Sequence, residues 1–188
     1  AFVSTHNHFV LDRTAKVFNR SVPIIKLPLS ASVDDHLGLL GLMNCSLACF
    51  WIKQMSHNKG TGGIGGGISS EEWEKRIEIS GTRIEEFPLP DTRPLHLVLA
   101  IEAVIDERVS NLPSALVTRL PISALEVSSA RVKAASLLAK MIGIQEELDW
   151  WCYRAYGLLE ESLCVEGPIP EILLGERAFE IVLARRVA

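Results

Sequence analysis

The sequence predicts an α+β fold, in which an N-terminal β-hairpin and short strands pack on a central helix, followed by an all-α region with a long helical hairpin. Three observations support this prediction. Residues 2–27 are rich in Val, Ile and Phe and are interrupted by a polar turn. The stretch His36–Gln54 places apolar residues at helical spacing, and a second apolar repeat of that kind begins near Ser123.

The first predicted element is a β-hairpin with the strands Phe2–Leu11 and Lys16–Leu27. Both segments have the β-branched and aromatic composition of strands, and the polar residues from Asp12 to Ala15 form the turn between them. Because Pro23 cannot donate to a sheet, the second strand lies at an edge or ends nearby. This hairpin would supply the main strands of the fold.

The stretch His36–Gln54 is predicted to form one central helix. Its apolar residues recur at steps of three and four, as on the buried face of a helix: Leu37, Leu40, Leu47, Cys49, Phe50 and Ile52. Asp34 and Asp35 stand just before it, where carboxylates cap free N–H groups and favour the helix dipole. Because the stretch is apolar on all sides, we expect it inside the fold.

A glycine-rich loop follows the central helix, and Gly60, Gly62 and Gly65 match the G-x-G-x-x-G pattern of phosphate binding. That pattern requires a strand before it and a helix opening from its last glycine, whereas here a helix precedes it and the glycines continue to Gly67. A flexible loop is therefore the favoured interpretation over a nucleotide site. A short helix is predicted to follow, ending at Arg76.

Two features raise the question of a metal site. His6 and His8 share one face of the first predicted strand, since side chains alternate along a strand, but no partner carboxylate or cysteine is evident nearby. A polar strand face is therefore favoured. The four cysteines also lack the paired spacing of a zinc site, so buried free thiols in a reducing cytoplasm are expected, with no bound metal.

A domain boundary is predicted where three prolines interrupt the sequence FPLPDTRP. Two short strands are expected just before it, within Ile77–Phe87. Residues 1–90 would then form one domain, and residues 91–188 a second, helical one. The chain has no start methionine and closes on a helix without a stop signal, so we expect a segment of a longer protein that is truncated at its C-terminus.

The second domain is predicted to contain an antiparallel helical hairpin. One helix begins at Asp91 or Thr92 and runs towards Asn111, and after a proline-punctuated link a second begins near Ser123. An unbroken heptad seam runs along the second helix. Two helices joined by a link of this size form an antiparallel hairpin, which could pack on a neighbour or project as an arm.

Three acidic residues, Glu146, Glu147 and Asp149, fall within one turn of the second helix and suggest a carboxylate catalytic site. No cleft or base accompanies them in the sequence, so a solvated face is the favoured interpretation. The adjacent Trp150 and Trp151 are interpreted as core or interface anchors.

Charge is divided unevenly along the chain. Residues 1–60 contain six Lys and Arg against three Asp, whereas residues 91–188 contain ten Lys and Arg against fourteen acids. The phosphates of a nucleic acid would be attracted to the first region and repelled by the second. No apolar run approaches the roughly 18 residues of a membrane span, so no membrane partner is expected.

Five blocks of the sequence resemble a known family. They are THNHFVLDRTAKVFNRSVPIIKLP, DDHLGLLGLMNCSLACFWIKQMSHNKG, GTRIEEFPLP, QEELDWWCYRAYGL and LGERAFEIVLARR. In this order they resemble the C-terminal portion of the adenine-specific DNA methyltransferases of BREX phage-defence systems, the PglX family. A helix that ends in Asn and Ser, followed by a strand and Pro-Leu-Pro, is also similar to target-recognition domains of type I and type IIG restriction–modification proteins. This chain has Asn44-Cys45-Ser46 where the family commonly has Asn-Ser-Ser.

The resemblance implies a parent enzyme that transfers a methyl group from S-adenosylmethionine to N6 of a flipped adenine. The catalytic Asn/Asp-Pro-Pro-Tyr/Phe motif and the Phe-x-Gly-x-Gly cofactor motif of such enzymes are absent from the sequence, which contains no Pro-Pro. No catalytic or cofactor-binding residue is therefore assigned. Residues 1–90 are expected to be the C-terminal part of a DNA target-recognition domain, in a cytoplasmic protein with an upstream methyltransferase domain.

Seven residues are predicted to contact double-stranded DNA: Arg13, Lys16, Arg20, Lys53, His57, Asn58 and Lys59. The first three surround the predicted hairpin turn, and the other four lie where the central helix meets the glycine loop. Each basic residue could instead be ordinary surface charge. Two alternatives remain open: a structural or partner-binding helical module of a defence complex, and a nucleotide-using enzyme built on the glycine loop.

Overall fold

The computed structural model describes residues 2–4, 7–14, 16–18, 24–58, 77–79, 81–119 and 121–187. These residues are predominantly helical. By their internal contacts they divide into two compact units, Ala1–Arg93 and Pro94–Ala188.

The elements of unit 1 are β1 (Phe2–Ser4), α1 (Val33–Met43), α2 (Ser46–Met55), β2 (His57–Asn58), β3 (Ile77–Ile79) and α3 (Gly81–Glu85). Those of unit 2 are α4 (Leu95–Val109), α5 (Pro113–Leu116), a 3-10 turn (Val117–Arg119), α6 (Ala124–Ala155) and α7 (Ala178–Val187).

The predicted single central helix is in fact two helices, α1 and α2, which meet at an angle of 68°. Asn44 ends α1, and Cys45 has extended backbone that starts α2. The Cys45 Sγ accepts a hydrogen bond from the N–H of Ala48 at 3.4 Å, the bond that a serine makes at this position of many helices. The apolar periodicity continues through the break, which is why the sequence pattern does not reveal it.

The prediction of an α+β fold with an N-terminal hairpin is wrong. Strands among the described residues are limited to three short segments in one antiparallel sheet of order β1-β3-β2, and β1 pairs with β3 rather than with the stretch that follows it. Residues 7–14, 16–18 and 24–27 contain no strand. The physical reason lies at Asn7 and Phe9, whose polar groups bond to the junction of α1 and α2 instead of to a second strand.

The predicted strands within Ile77–Phe87 are also partly wrong, because only β3 is a strand and α3 follows it. The predicted glycine loop, the short helix ending at Arg76 and His6 lie outside the described residues.

The core of unit 1 is formed by one side of α1 and α2. Its fully buried members include Leu37, Leu42, Met43, Ala48 and Ile52. The ring of Trp51 on α2 packs edge-on against that of Phe87, with centroids 5.4 Å apart. These contacts fix α2 so that its other side is in solvent.

Unit 2 is built on the packing of α4 along the 32-residue helix α6. Ser123 and Glu126 form a capping box at the start of α6. Lys133 Nζ lies 2.8 Å from Glu107 Oε1, which links the two long helices at their surface. Buried apolar residues fill the space beneath: Leu97, Val98, Val104, Leu137, Ile144 and Leu148.

The segment between α6 and α7 folds back on α6. The N–H of Ile172 donates to the carbonyl of Ala139 at 3.0 Å, and the Ser136 hydroxyl donates to Glu171 at 2.8 Å. Gly143 permits this approach, because a Cβ at that position would overlap the carbonyl oxygen of Pro170. Close packing of this segment therefore depends on a glycine inside a helix.

Within the described part of the chain, no single helix is both long and apolar enough to cross a bilayer. The bent pair α1 and α2 meets those criteria of length and composition only when the two are taken together.

Candidate functional site

The junction between α1 and α2 organises the N-terminal segment. The Asn44 side chain donates to the carbonyls of Phe9 and Leu40 at 2.9 and 3.1 Å, and its Oδ1 accepts from the N–H of Phe9 at 2.9 Å. Asn7 in turn donates to the carbonyl of Met43 at 2.6 Å. One asparagine thus bonds to both backbone polar groups of Phe9, as a residue of a neighbouring strand would.

A polar turn carries the first predicted DNA contacts. Asp12 accepts hydrogen bonds from the hydroxyl of Thr14 at 2.7 Å and from the N–H of Lys16 at 3.0 Å. These two hydrogen bonds hold the pKa of Asp12 below its ordinary value. Arg13 and Lys16 are exposed, and Lys16 Nζ stands 3.9 Å from Asp12. The turn therefore presents two cations on a locally fixed backbone.

The remaining predicted contacts divide into described and undescribed residues. Lys53 is exposed in the last turn of α2. His57 and Asn58 form β2, in which His57 pairs with Glu78 of β3. Arg20 and Lys59 lie outside the described residues. Contact of these seven residues with DNA remains a prediction.

Because Phe9 is anchored at the junction of α1 and α2, the segment that carries Arg13 and the end of α2 that carries Lys53 both lie close to that junction. Arg13 is four residues beyond Phe9, so its Cα lies within about 14 Å of the anchored backbone. Lys53 is nine residues along the chain from Asn44, which corresponds to about 14 Å of helix. Both segments therefore start from the junction of α1 and α2. The side chain that holds the N-terminal segment at this junction belongs to Asn44, which was not among the predicted site residues.

The second notable site is a buried ionic network in unit 2. The prediction of a solvated acidic face is wrong: Glu146, Glu147 and Asp149 are only 8%, 6% and 4% exposed. Arg177 Nε donates to Glu146 Oε2 at 2.9 Å, and an Arg177 Nη also donates to Asp149. A single guanidinium therefore bridges two buried carboxylates.

Backbone groups complete this network. The N–H of Ala178 donates to Glu146 Oε1 at 3.1 Å, and the N–H of Val165 donates to Glu147 Oε2 at 2.9 Å. Burial alone would lower the pKa of Arg177, but the hydrogen bond to Glu146 and the charge of Asp149 raise it above its ordinary value. The guanidinium also lies 4.8 Å from the ring centroid of Phe179.

This arrangement ties the segment before α7 to α6. Sequence reasoning missed it because the partner, Arg177, lies 31 residues from Glu146. The available signal was the arginine in the family-like block LGERAFEIVLARR. Among the residues that the structure describes, no group of three or more His, Cys, Asp or Glu side chains is arranged to hold a metal ion. All four cysteines are free thiols.

Comparison with known proteins covers both units. Residues 141–188 match a domain family of unknown function, DUF7008. The whole chain is 46% identical, over 197 aligned residues, to the adenine-specific methyltransferase PglX of Streptomyces coelicolor. The chain spans 16% of the length of that relative. No solved structure matches the chain. The match to PglX confirms the resemblance indicated by the sequence blocks: over its full length, the chain is similar to a segment of a PglX adenine-specific methyltransferase.

Proposed function

We propose that this chain is the non-catalytic DNA-recognition and helical part of a site-specific DNA methyltransferase that modifies N6 of adenine. The observation that carries the proposal is the 46% identity along the entire chain to an adenine-specific methyltransferase. The parent enzyme would take its methyl group from S-adenosylmethionine and act on a flipped base, in cytoplasmic phage defence. Its catalytic residues would lie in another domain, because this sequence has no Pro-Pro motif.

We assign the recognition role to residues 1–90 and a structural role to residues 91–188. The excess of cations that supports a recognition role lies in the first 60 residues, which have three more Lys and Arg than acids, whereas residues 61–90 have an excess of three acids and residues 91–188 an excess of four. Arg13, Lys16 and Lys53 are exposed in the first region, where phosphate oxygens could reach them. The other residues proposed as contacts are Arg20, His57, Asn58 and Lys59.

The proposal is tested with the full-length protein, labelled S-adenosylmethionine and unmethylated DNA. We expect label at N6 of adenine within one defined sequence. Changing Lys53 to Ala should weaken binding to all sequences and lower the slope of log affinity against log salt by about 1, because one phosphate contact is lost. Lys140, exposed on α6, is the matched control. Absence of methyl transfer to DNA would overturn the proposal.

A second candidate function, a partner-binding helical module, is favoured by one observation. Helix α7 exposes Phe179, Val182 and Leu183 at 53%, 48% and 58%, and their i, i+3, i+4 spacing puts them on one face. Gel-shift and light-scattering measurements at low salt separate the two functions. Self-association, or binding of another defence-system protein with no DNA retained, would favour this alternative.

A further inference from the structure

We propose that α2 reads an A·T base pair in the major groove of the target DNA through one exposed face, formed by Phe50, Lys53 and Gln54. We call these three residues the α2 face. The inference rests on the proposed function and extends it, because Phe50 and Gln54 are not among the predicted DNA contacts. It identifies which side chains would distinguish one base sequence from another.

The α2 face is a single surface fixed from behind. Its members are spaced at i, i+3 and i+4, so their side chains lie together on the helix. Phe50 is 61% exposed, and Lys53 and Gln54 are both exposed. Ala48 and Ile52, on the opposite side, are fully buried. The face is therefore held in one orientation before any ligand arrives.

The shape and chemistry of the α2 face suit a DNA groove. A helix about 10–12 Å across enters a major groove about 12 Å wide. A glutamine amide can bond to both N6 and N7 of adenine, and an apolar side chain such as Phe contacts the methyl group of thymine. Gln54 and Phe50 thus match the two halves of an A·T pair, while Lys53 can reach a phosphate.

Electrostatics favours DNA over an apolar protein partner for this face. Helix α2 contains no acidic residue, and the first 60 residues have a net excess of three cations. An apolar partner would bury the amide of Gln54 and the ammonium of Lys53 without hydrogen-bond acceptors, which is unfavourable. DNA offers acceptors to both groups beside an apolar methyl for Phe50.

The test uses the full-length protein with the variants Gln54→Ala and Phe50→Ala. Affinity is measured for the preferred DNA site and for a set of sites with single base-pair changes. We expect Gln54→Ala to lose about 10- to 100-fold discrimination at one A·T position and little elsewhere, because one bidentate base contact is removed. Phe50→Ala should weaken discrimination at the same or the adjacent position.

Val132→Ala is the matched control, because Val132 is a similarly exposed apolar residue, at 68%, on α6 in unit 2. It should leave discrimination unchanged. If the protein methylates a defined sequence but both α2 variants retain full discrimination at every position, this inference fails and the proposed function stands. If the protein shows no sequence-specific binding to DNA, both fail.

Discussion

Helices α2 and α6 both carry charged residues on an otherwise apolar sequence, yet the two helices use them in opposite ways. On α2, Lys53 remains in solvent beside an exposed aromatic residue. On α6, Glu146 and Asp149 are buried and bound to Arg177 from the segment before α7. The charge of Lys53 therefore remains available to a ligand, whereas the charges of Glu146 and Asp149 are paired with Arg177 within the fold.

The comparison shows that the role of a charged residue depends on where its partner lies. The acids of α6 find their cation about 30 residues along the chain, after a reversal of chain direction that no local pattern encodes. Burying such a pair is weak evidence for net stability, but removing one partner leaves an uncompensated buried charge. Substitutions on the two helices should therefore have different consequences.

The largest effect is expected from Arg177→Ala. Without the guanidinium, the buried carboxylates of Glu146 and Asp149 would lose their cation, and the local free energy of unfolding should fall by about 3 kcal/mol. Hydrogen–deuterium exchange of residues 157–177 measures this loss. Arg185→Ala, at an exposed position of α7, should change exchange by less than about 0.5 kcal/mol. Equal effects of the two variants would contradict the buried network.

Gly143→Ala should have the next largest effect. A Cβ there would overlap the carbonyl of Pro170, so the segment must move, at about 2 kcal/mol. Gly81→Ala is the matched control, because a Cβ at Gly81 meets open space and alanine favours the helix, so local stability should rise slightly. Thermal unfolding measures both, and the same sign for both variants would refute this packing.

A smaller effect is expected from Asn44→Ala in unit 1. The change leaves the N–H and carbonyl of Phe9 without the partners they have in the structure, which should destabilise the N-terminal segment by about 2 kcal/mol. Exchange of residues 7–14 should increase. Asn111→Ala, which removes a single bond to the carbonyl of Glu107, should change much less. Unaltered exchange at residues 7–14 would rule out the anchoring role.

These features explain what could be predicted from the sequence. Helical periodicity located α4 and α6, because it is a local property of each helix. It could not reveal the bend at Asn44, since apolar residues continue on both sides of it. The β-rich composition of the N-terminal residues suggested a hairpin, but Asn44 supplies the hydrogen bonds that a second strand would have made. For the candidate site, the cations could be located from sequence, but their contacts depend on tertiary structure.

The smallest effect concerns the capping carboxylates. The hydroxyl and N–H of Ser32 hold the pKa of Asp35 below its ordinary value, and the N–H and hydroxyl of Ser123 do the same for Glu126. Because these pKa values are lowered by folding, the caps stabilise above the unfolded-state pKa, and that contribution is lost as pH falls through the folded-state pKa. Carboxyl NMR titration should show both depressed pKa values, and Ser32→Ala should raise only that of Asp35, in part, because alanine removes the hydroxyl but keeps the N–H.

The central claim is that unit 1 selects the DNA sequence on which a separate domain performs chemistry. It is tested most directly by replacing unit 1 of the full-length protein with the corresponding segment of the Streptomyces coelicolor relative and mapping methylated adenines. We expect the methylated sequence to change to that of the donor while methyl transfer persists. An unchanged target sequence, with transfer intact, would contradict the claim.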